Sequence, residues 1–156
     1  MADMTAKLVW QGGVRFTGTN ADGIETAIDG DHRNAASPVE ILLEALGACS
    51  AIDVVLILEK MRMPAARLEV SLDADRHSPE PRYLTRVRMR FDVWGHGIQS
   101  ERVARAVWLS LVRYCSVYNS LRSDLTVQPQ FRLHASGAEA SGEYETVALG
   151  AEPTNA

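Results

Sequence analysis

The sequence predicts an α+β fold with element order β-β-β-α-β-β-α-β. Three patterns predict it. Two eight-residue stretches alternate apolar and polar side chains. A capped, almost wholly apolar helix starts at Ser37. A second, amphipathic helix starts at Ser100. Period-two alternation marks strands with one dry and one wet face, and 3.6-residue periodicity marks helices.

Each element follows from local chemistry. Lys7–Trp10 and Val14–Thr17 are short strands around Gln11-Gly12-Gly13, because Gly-Gly between apolar runs is a hairpin signal. Ile24–Ile28 alternates and forms a third strand, entered through Asn20-Ala21-Asp22-Gly23. Asp29 to Ala36 is polar and reads as a loop. The long helix has Ser37 as N-cap, Pro38 at its first position and Glu40 completing an S-x-x-E capping box. It is expected to run to about Met63, where Pro64 stops it. A helix apolar on nearly every face from Ile41 to Leu58 must be central or covered by a partner subunit. Gly47 inside it costs about 1 kcal/mol against alanine and would permit close approach of another element.

Leu68, Val70, Leu72 and Ala74 then alternate with Glu69, Ser71, Asp73 and Asp75. Val87, Met89, Phe91 and Val93 alternate with Arg86, Arg88, Arg90 and Asp92. One wet face is acidic and the next basic, a pattern that cross-strand attraction explains. Arg86, Arg88 and Arg90 therefore read as a solvated sheet face, with no aromatic platform to suggest nucleic acid. The second helix runs from Ser100 to Leu111, with Val103, Val107, Leu111 and Tyr114 as its apolar stripe. Ser116 caps a short helix to Leu121. Leu125–Leu133 is a last strand, at an edge or bulge because of Pro129. Residues 1–135 form one domain. Residues 136–156, rich in Ala, Gly, Glu, Ser and Thr, read as a flexible tail.

The bulk properties narrow the function. The chain has 156 residues and a formal charge of −4, so net charge predicts no nucleic-acid or anionic-lipid partner. Glu44, Asp53 and Glu59 interrupt its most apolar stretch, and the N-terminus lacks a secretory pattern. A cytoplasmic protein without a membrane partner is the expectation. Cys49 and Cys115 lie 66 positions apart, and His32, His77, His96 and His134 are scattered. No metal-ligand spacing is present, so neither a metal nor another cofactor is expected. Two readings stay open: a pair of redox-active thiols, or two buried bystanders.

A reactive Cys49 needs a lowered pKa. It lies about a dozen positions into its helix, where the dipole gives little help. Asp53, four residues on, shares its helical face and opposes ionisation. A cation must come from elsewhere in the fold. Arg15, beside the Gly-Gly turn, is a candidate, with a plain surface charge as the alternative. Glu40 is about 13 Å away along the helix and on its far side, so it does not touch Cys49.

Ser37-Pro38-x-Glu40-x-Leu42-Leu43-x-Ala45-Leu46-Gly47-Ala48-Cys49, followed by Tyr114-Cys115-Ser116-Val117, resembles the osmotically inducible protein C (OsmC) and organic hydroperoxide resistance (Ohr) family. Asp53-Val54-Val55-x-Ile57-Leu58-x-Lys60-Met61-Arg62 looks most like its YhfA-like branch. The resemblance implies an OsmC-like fold, with antiparallel sheets wrapped around long central helices in an intertwined homodimer. It implies a dithiol peroxidase acting on organic hydroperoxides in oxidative stress defence, reset by an external dithiol reductant. By position, Cys49 is the peroxidatic cysteine, Cys115 the resolving one and Arg15 the thiolate-stabilising arginine. The chain departs from the family pattern at the usual glutamate, ten residues before the cysteine, where Val39 stands. The alternatives are a dimeric, non-catalytic binder of an apolar small molecule, and a thiol redox sensor.

Overall fold

The computed structural model describes residues 2–153. The chain divides into two compact units, one up to Glu44 and one from Ala45 onward. The first contains a three-stranded antiparallel sheet, β1 (Ala6–Trp10), β2 (Arg15–Asn20) and β3 (Glu25–Asp29), in that order. The Gly-Gly turn forms as the sequence requires, with Gly12 and Gly13 both at positive φ. Asn20 Oδ1 closes the second turn by accepting from Asp22 N at 3.0 Å and Ile24 N at 2.9 Å. Buried Asp29 organises the polar loop after β3, accepting from the backbone N–H groups of Asp31 and Asn34 at 3.0 Å each.

Helix α1 spans Pro38–Lys60. Its capping box is made. Glu40 Oε2 accepts from Ser37 N at 2.7 Å, and Glu40 N points back to Ser37 Oγ. The hydrogen bonds from Ser37 and His32 hold the Glu40 carboxyl below its usual pKa. The helix ends three residues earlier than its periodicity predicts. Arg62, at φ 61°, turns the chain left-handed; its N–H bonds Glu59 O at 2.9 Å, and Met63 N bonds Leu58 O at 3.0 Å. That is a Schellman cap, so the chain has already turned before Pro64.

The second unit carries a four-stranded sheet in the order β4 (Arg67–Arg76), β5 (Leu84–Trp94), β6 (Thr126–His134) and β7 (Glu145–Thr146). The dry face is as the alternation predicts: Val87, Met89, Phe91 and Val93 are fully buried. Leu46, Val54 and Leu58 of α1 join them in the core, each such side chain contributing about 1.5–3 kcal/mol. Gly47 has the role its position suggested. A Cβ there would meet Leu72 Cδ1 of β4 at 2.6 Å. On the wet face, Arg88 makes paired 3.0 Å contacts with Asp75, Arg90 reaches Asp73 at 2.9 Å, and Arg88 also bonds Asp73.

The sheet is mixed. β4 and β5 are antiparallel, but β5 and β6 run parallel over their length, because helix α2 (Ser100–Leu109) makes the crossover between them. β6 is neither the last strand nor an edge, since it lies between β5 and β7, but Pro129 is accommodated there. Its carbonyl accepts from Val147 N at 2.9 Å, so its missing N–H also faces β7, which pairs only at Gln130 and Phe131.

Beyond residue 135, where composition suggested a tail, the chain contributes β7 and covers the sheet's outer face. Asp92 is the anchor. It bonds Arg132 Nε and lies 2.7 Å from His134 Nε2, while the Tyr144 hydroxyl donates to its other oxygen at 2.8 Å. Trp94 Nε1 donates to Ala138 O at 2.8 Å, and Val147 is buried. Two anchor residues in a weakly apolar stretch leave little compositional signal.

Candidate thiol site

The second unit brings Cys49 and Cys115 together. Helix α1 supplies Cys49, Ser50 and Asp53 from one face. The opposing wall comes from the end of α2, where one turn, Ser110–Tyr114, widens into a π-helix. Cys115 N donates to Ser110 O at 2.7 Å, five residues back. This extra residue changes the register. The expected stripe holds through Val103, Val107 and Leu111, all buried, but Tyr114 swings outward to 58 % exposure and Ser110 turns inward. Cys115 then takes an extended backbone, caps the short helix α3 (Ser116–Asn119), and accepts from Tyr118 N through its sulfur at 3.4 Å. Single π-turns of this kind occur often at functional sites.

The sulfur atoms of Cys49 and Cys115 and a carboxylate oxygen of Asp53 all lie within 4.8 Å of one another. Both thiols are free, Cys49 half-buried and Cys115 fully buried. Ser110 Oγ is 3.0 Å from Asp53 Oδ2 and 3.0 Å from Ser50 Oγ. A carboxylate only accepts, so the Ser110 hydroxyl donates to Asp53 and fixes it against the thiols. Burial pushes the Cys115 thiol up to about 11. Its backbone bond from Tyr118 opposes that rise, while Cys49 and the Asp53 charge add to it. Cys115 is a protonated thiol at neutral pH, held beside a more accessible one.

Asp53 opens onto a groove of about 450 Å³ with apolar walls from Leu56, Ile57, Met61 and Leu109, and with Lys60 and Tyr114 at its rim. This is the size of a small-molecule site. Arg15 is exposed at the start of β2, in register with Asp29. It belongs to the first unit, whereas Cys49, Asp53, Ser110 and Cys115 all belong to the second. Sequence reasoning marked both cysteines and saw Asp53 only as an opposing charge. It missed Ser50 and Ser110, whose single signal is a hydroxyl on an otherwise apolar helix face.

With two sheets, a long apolar helix and a two-cysteine site in place, the chain can be assigned to a family. Residues 29–130 match the OsmC-like protein family model, and the chain belongs to that family. It is 38 % identical over 134 residues to Protein YhfA of Escherichia coli strain K12, covering 85 % of this chain and all of that one. Two solved structures share its fold. A hypothetical protein from Aquifex aeolicus superposes with a TM-score of 0.79 at 22 % identity, over 87 % of this chain and 99 % of that one. An organic hydroperoxide resistance protein from Elizabethkingia anophelis superposes with a TM-score of 0.64 at 15 % identity, over 86 % and 98 %.

Proposed function

We propose that the chain is a thiol-dependent peroxidase that reduces organic hydroperoxides through a Cys49/Cys115 dithiol–disulfide cycle. Membership in the OsmC-like family supports a role in peroxide stress. The observation that carries the mechanism is the meeting of two free thiols and a carboxylate within 4.8 Å beside an apolar groove. Cys49, the more accessible thiol, attacks as thiolate on the distal peroxide oxygen. The O–O bond breaks, Cys49 becomes a sulfenic acid, and the alkoxide takes a proton to leave as alcohol. The Cys115 sulfur then displaces water from the sulfenic acid and closes the disulfide. An external dithiol returns both thiols. Arg15 is the cation proposed to favour the Cys49 thiolate.

The active form is proposed to be a cytoplasmic homodimer. α1 is long and apolar enough to cross a membrane by length and composition alone, yet Leu46, Val54 and Leu58 on it are buried in the core. Its Ile52 and Leu56 stay exposed, as do Leu8, Trp10 and Ile24 of the first unit. Apolar faces of this kind fit a second copy, which light scattering on the purified chain would detect as twice the monomer mass. The groove also suits a bound apolar molecule, so the binder reading stays as the second one.

Stopped-flow consumption of cumene hydroperoxide with a dithiol reductant tests the proposal. The wild type should turn over, Cys49→Ser should fall to background, and Cys115→Ser should give one turnover and stop. Equal background rates in all three would leave the binder.

A further inference from the structure

We propose that the reduced chain binds one Zn²⁺ through Cys49 Sγ, Cys115 Sγ and an Asp53 carboxylate oxygen. The site goes beyond the peroxidase reading and does not rest on it, because it requires only the two adjacent free thiols and the anchored carboxylate.

The donor set selects the ion. Two thiolates exclude Mg²⁺ and Ca²⁺, which take oxygen ligands. The carboxylate oxygen favours Zn²⁺ over the softer Cu⁺. A tetrahedral ion with Zn–S bonds of about 2.3 Å needs its two sulfurs about 3.8 Å apart. The three donor atoms already lie within 4.8 Å of one another, at most about 1 Å beyond that spacing. The outer shell is also built. Ser110 Oγ holds Asp53 Oδ2 at 3.0 Å, a single bond that leaves the carboxylate acceptor capacity for the ion. Hydrogen-bonded ligating carboxylates of this kind orient a metal site. Three protein ligands leave a fourth position for water, and Asp53 itself lines the open groove. No spacing motif announces the site, because the π-turn delivers Cys115 to α1 from 66 residues away.

The ion takes both sulfurs as thiolates, so binding displaces the proton that the Cys115 thiol carries. The same two sulfurs cannot hold the ion and form a disulfide. Metal occupancy and dithiol cycling therefore exclude one another, and oxidation discharges the ion.

The test uses the full-length reduced protein under argon and a weak chromophoric zinc chelator. The expected result is one Zn²⁺ removed from the chelator per chain. Co²⁺ should give thiolate-to-cobalt charge-transfer absorption and the visible bands of a tetrahedral ion. Cys49→Ser should weaken zinc binding at least ~100-fold and Asp53→Asn ~10-fold, in line with the loss of a ligand or of ligand orientation. Diamide, reduced to its hydrazine as the wild-type disulfide forms, should abolish binding without any mutation. It thereby covers the case in which a substitution at buried Cys115 fails to fold. Failure of the reduced wild type to compete with the chelator overturns the proposal. So does a stoichiometry unchanged by Cys49→Ser or by diamide, which would place the ion elsewhere. Hydroperoxide turnover is not among the readouts, so a chain that binds zinc without peroxidase activity, or the reverse, is recognised as such.

Discussion

Two carboxylates in the second unit show how one residue type serves different ends. Asp92 has three polar partners. Arg132, His134 and Tyr144 all bond it, and Arg132 stacks its guanidinium 4.2 Å over the Tyr144 ring. Asp53 has the Ser110 hydroxyl and two thiols for neighbours, with a groove on its open side. Asp92 Oδ1 meets both Arg132 and His134 and Oδ2 accepts from Tyr144, so the cluster fastens the chain. Asp53 keeps acceptor capacity in reserve next to two free thiols. The carboxylate with three polar partners serves stability, and the one with fewer partners leaves room for a ligand.

Removing each carboxylate should break the comparison most sharply. Asp92→Ala strands the Arg132 guanidinium, buried His134 and the Tyr144 hydroxyl at once. Leaving a buried polar group such as His134 without its hydrogen-bond partner costs about 1–3 kcal/mol. Urea denaturation should show that loss, and limited proteolysis should show the segment after residue 135 released first. A loss under about 1 kcal/mol would mean that the covering segment is held elsewhere.

The same anchor sets an acid limit. Burial pushes the Asp92 carboxyl upward, but its bonds from Arg132, His134 and Tyr144 outweigh burial and hold it below the ordinary carboxylate value. The unfolded chain therefore takes up the proton first as pH falls. The stabilisation is complete above the unfolded value of about 3.9 and is lost as pH drops through the lower folded value. Thermal melts of the wild type should fall steeply in that window. Asp92→Asn, less stable at neutral pH, should follow a flatter profile. Parallel profiles would remove Asp92 from the account of acid stability.

The seat of helix α1 comes next in size. Gly47→Val would drive a branched side chain into Leu72, where even a Cβ lies 2.6 Å from Cδ1. Overpacking of this kind costs about 1–3 kcal/mol. Leu72→Ala should recover part of it in the double variant, measured by the urea midpoint. Additive losses would show that the two side chains do not meet.

How much of this was legible depends on the range of the signal. The period-two strands, the S-x-x-E cap and the Gly-Gly hairpin are local patterns, and each formed where the residues placed it. The parallel β5–β6 pairing and β7 are not local: they depend on long-range bonds, such as Val147 N to Pro129 O, that no short window of sequence contains. The π-turn is local, closed by Cys115 N to Ser110 O five residues back, but nothing in the residue pattern of Ser110–Tyr114 distinguishes it from an ordinary α-turn. The cysteines were visible as a residue type. Their adjacency was not, because one extra residue per turn at Ser110–Tyr114 decides which of Tyr114 and Cys115 faces inward.

Asp53→Asn is the smallest change in stability and the best control on the contrast between the two carboxylates. The amide oxygen still accepts from Ser110 Oγ, and no buried cation loses its counter-charge. The substitution should shift the urea midpoint by no more than about 1 kcal/mol. Asp92→Asn keeps the same shape but removes the charge that Arg132 and His134 face, so it should cost clearly more. If Asp53→Asn proves as damaging as Asp92→Asn, then Asp53 is a structural anchor too. The cluster around the thiols would then be as fully committed to folding as the one on the outer face of the sheet.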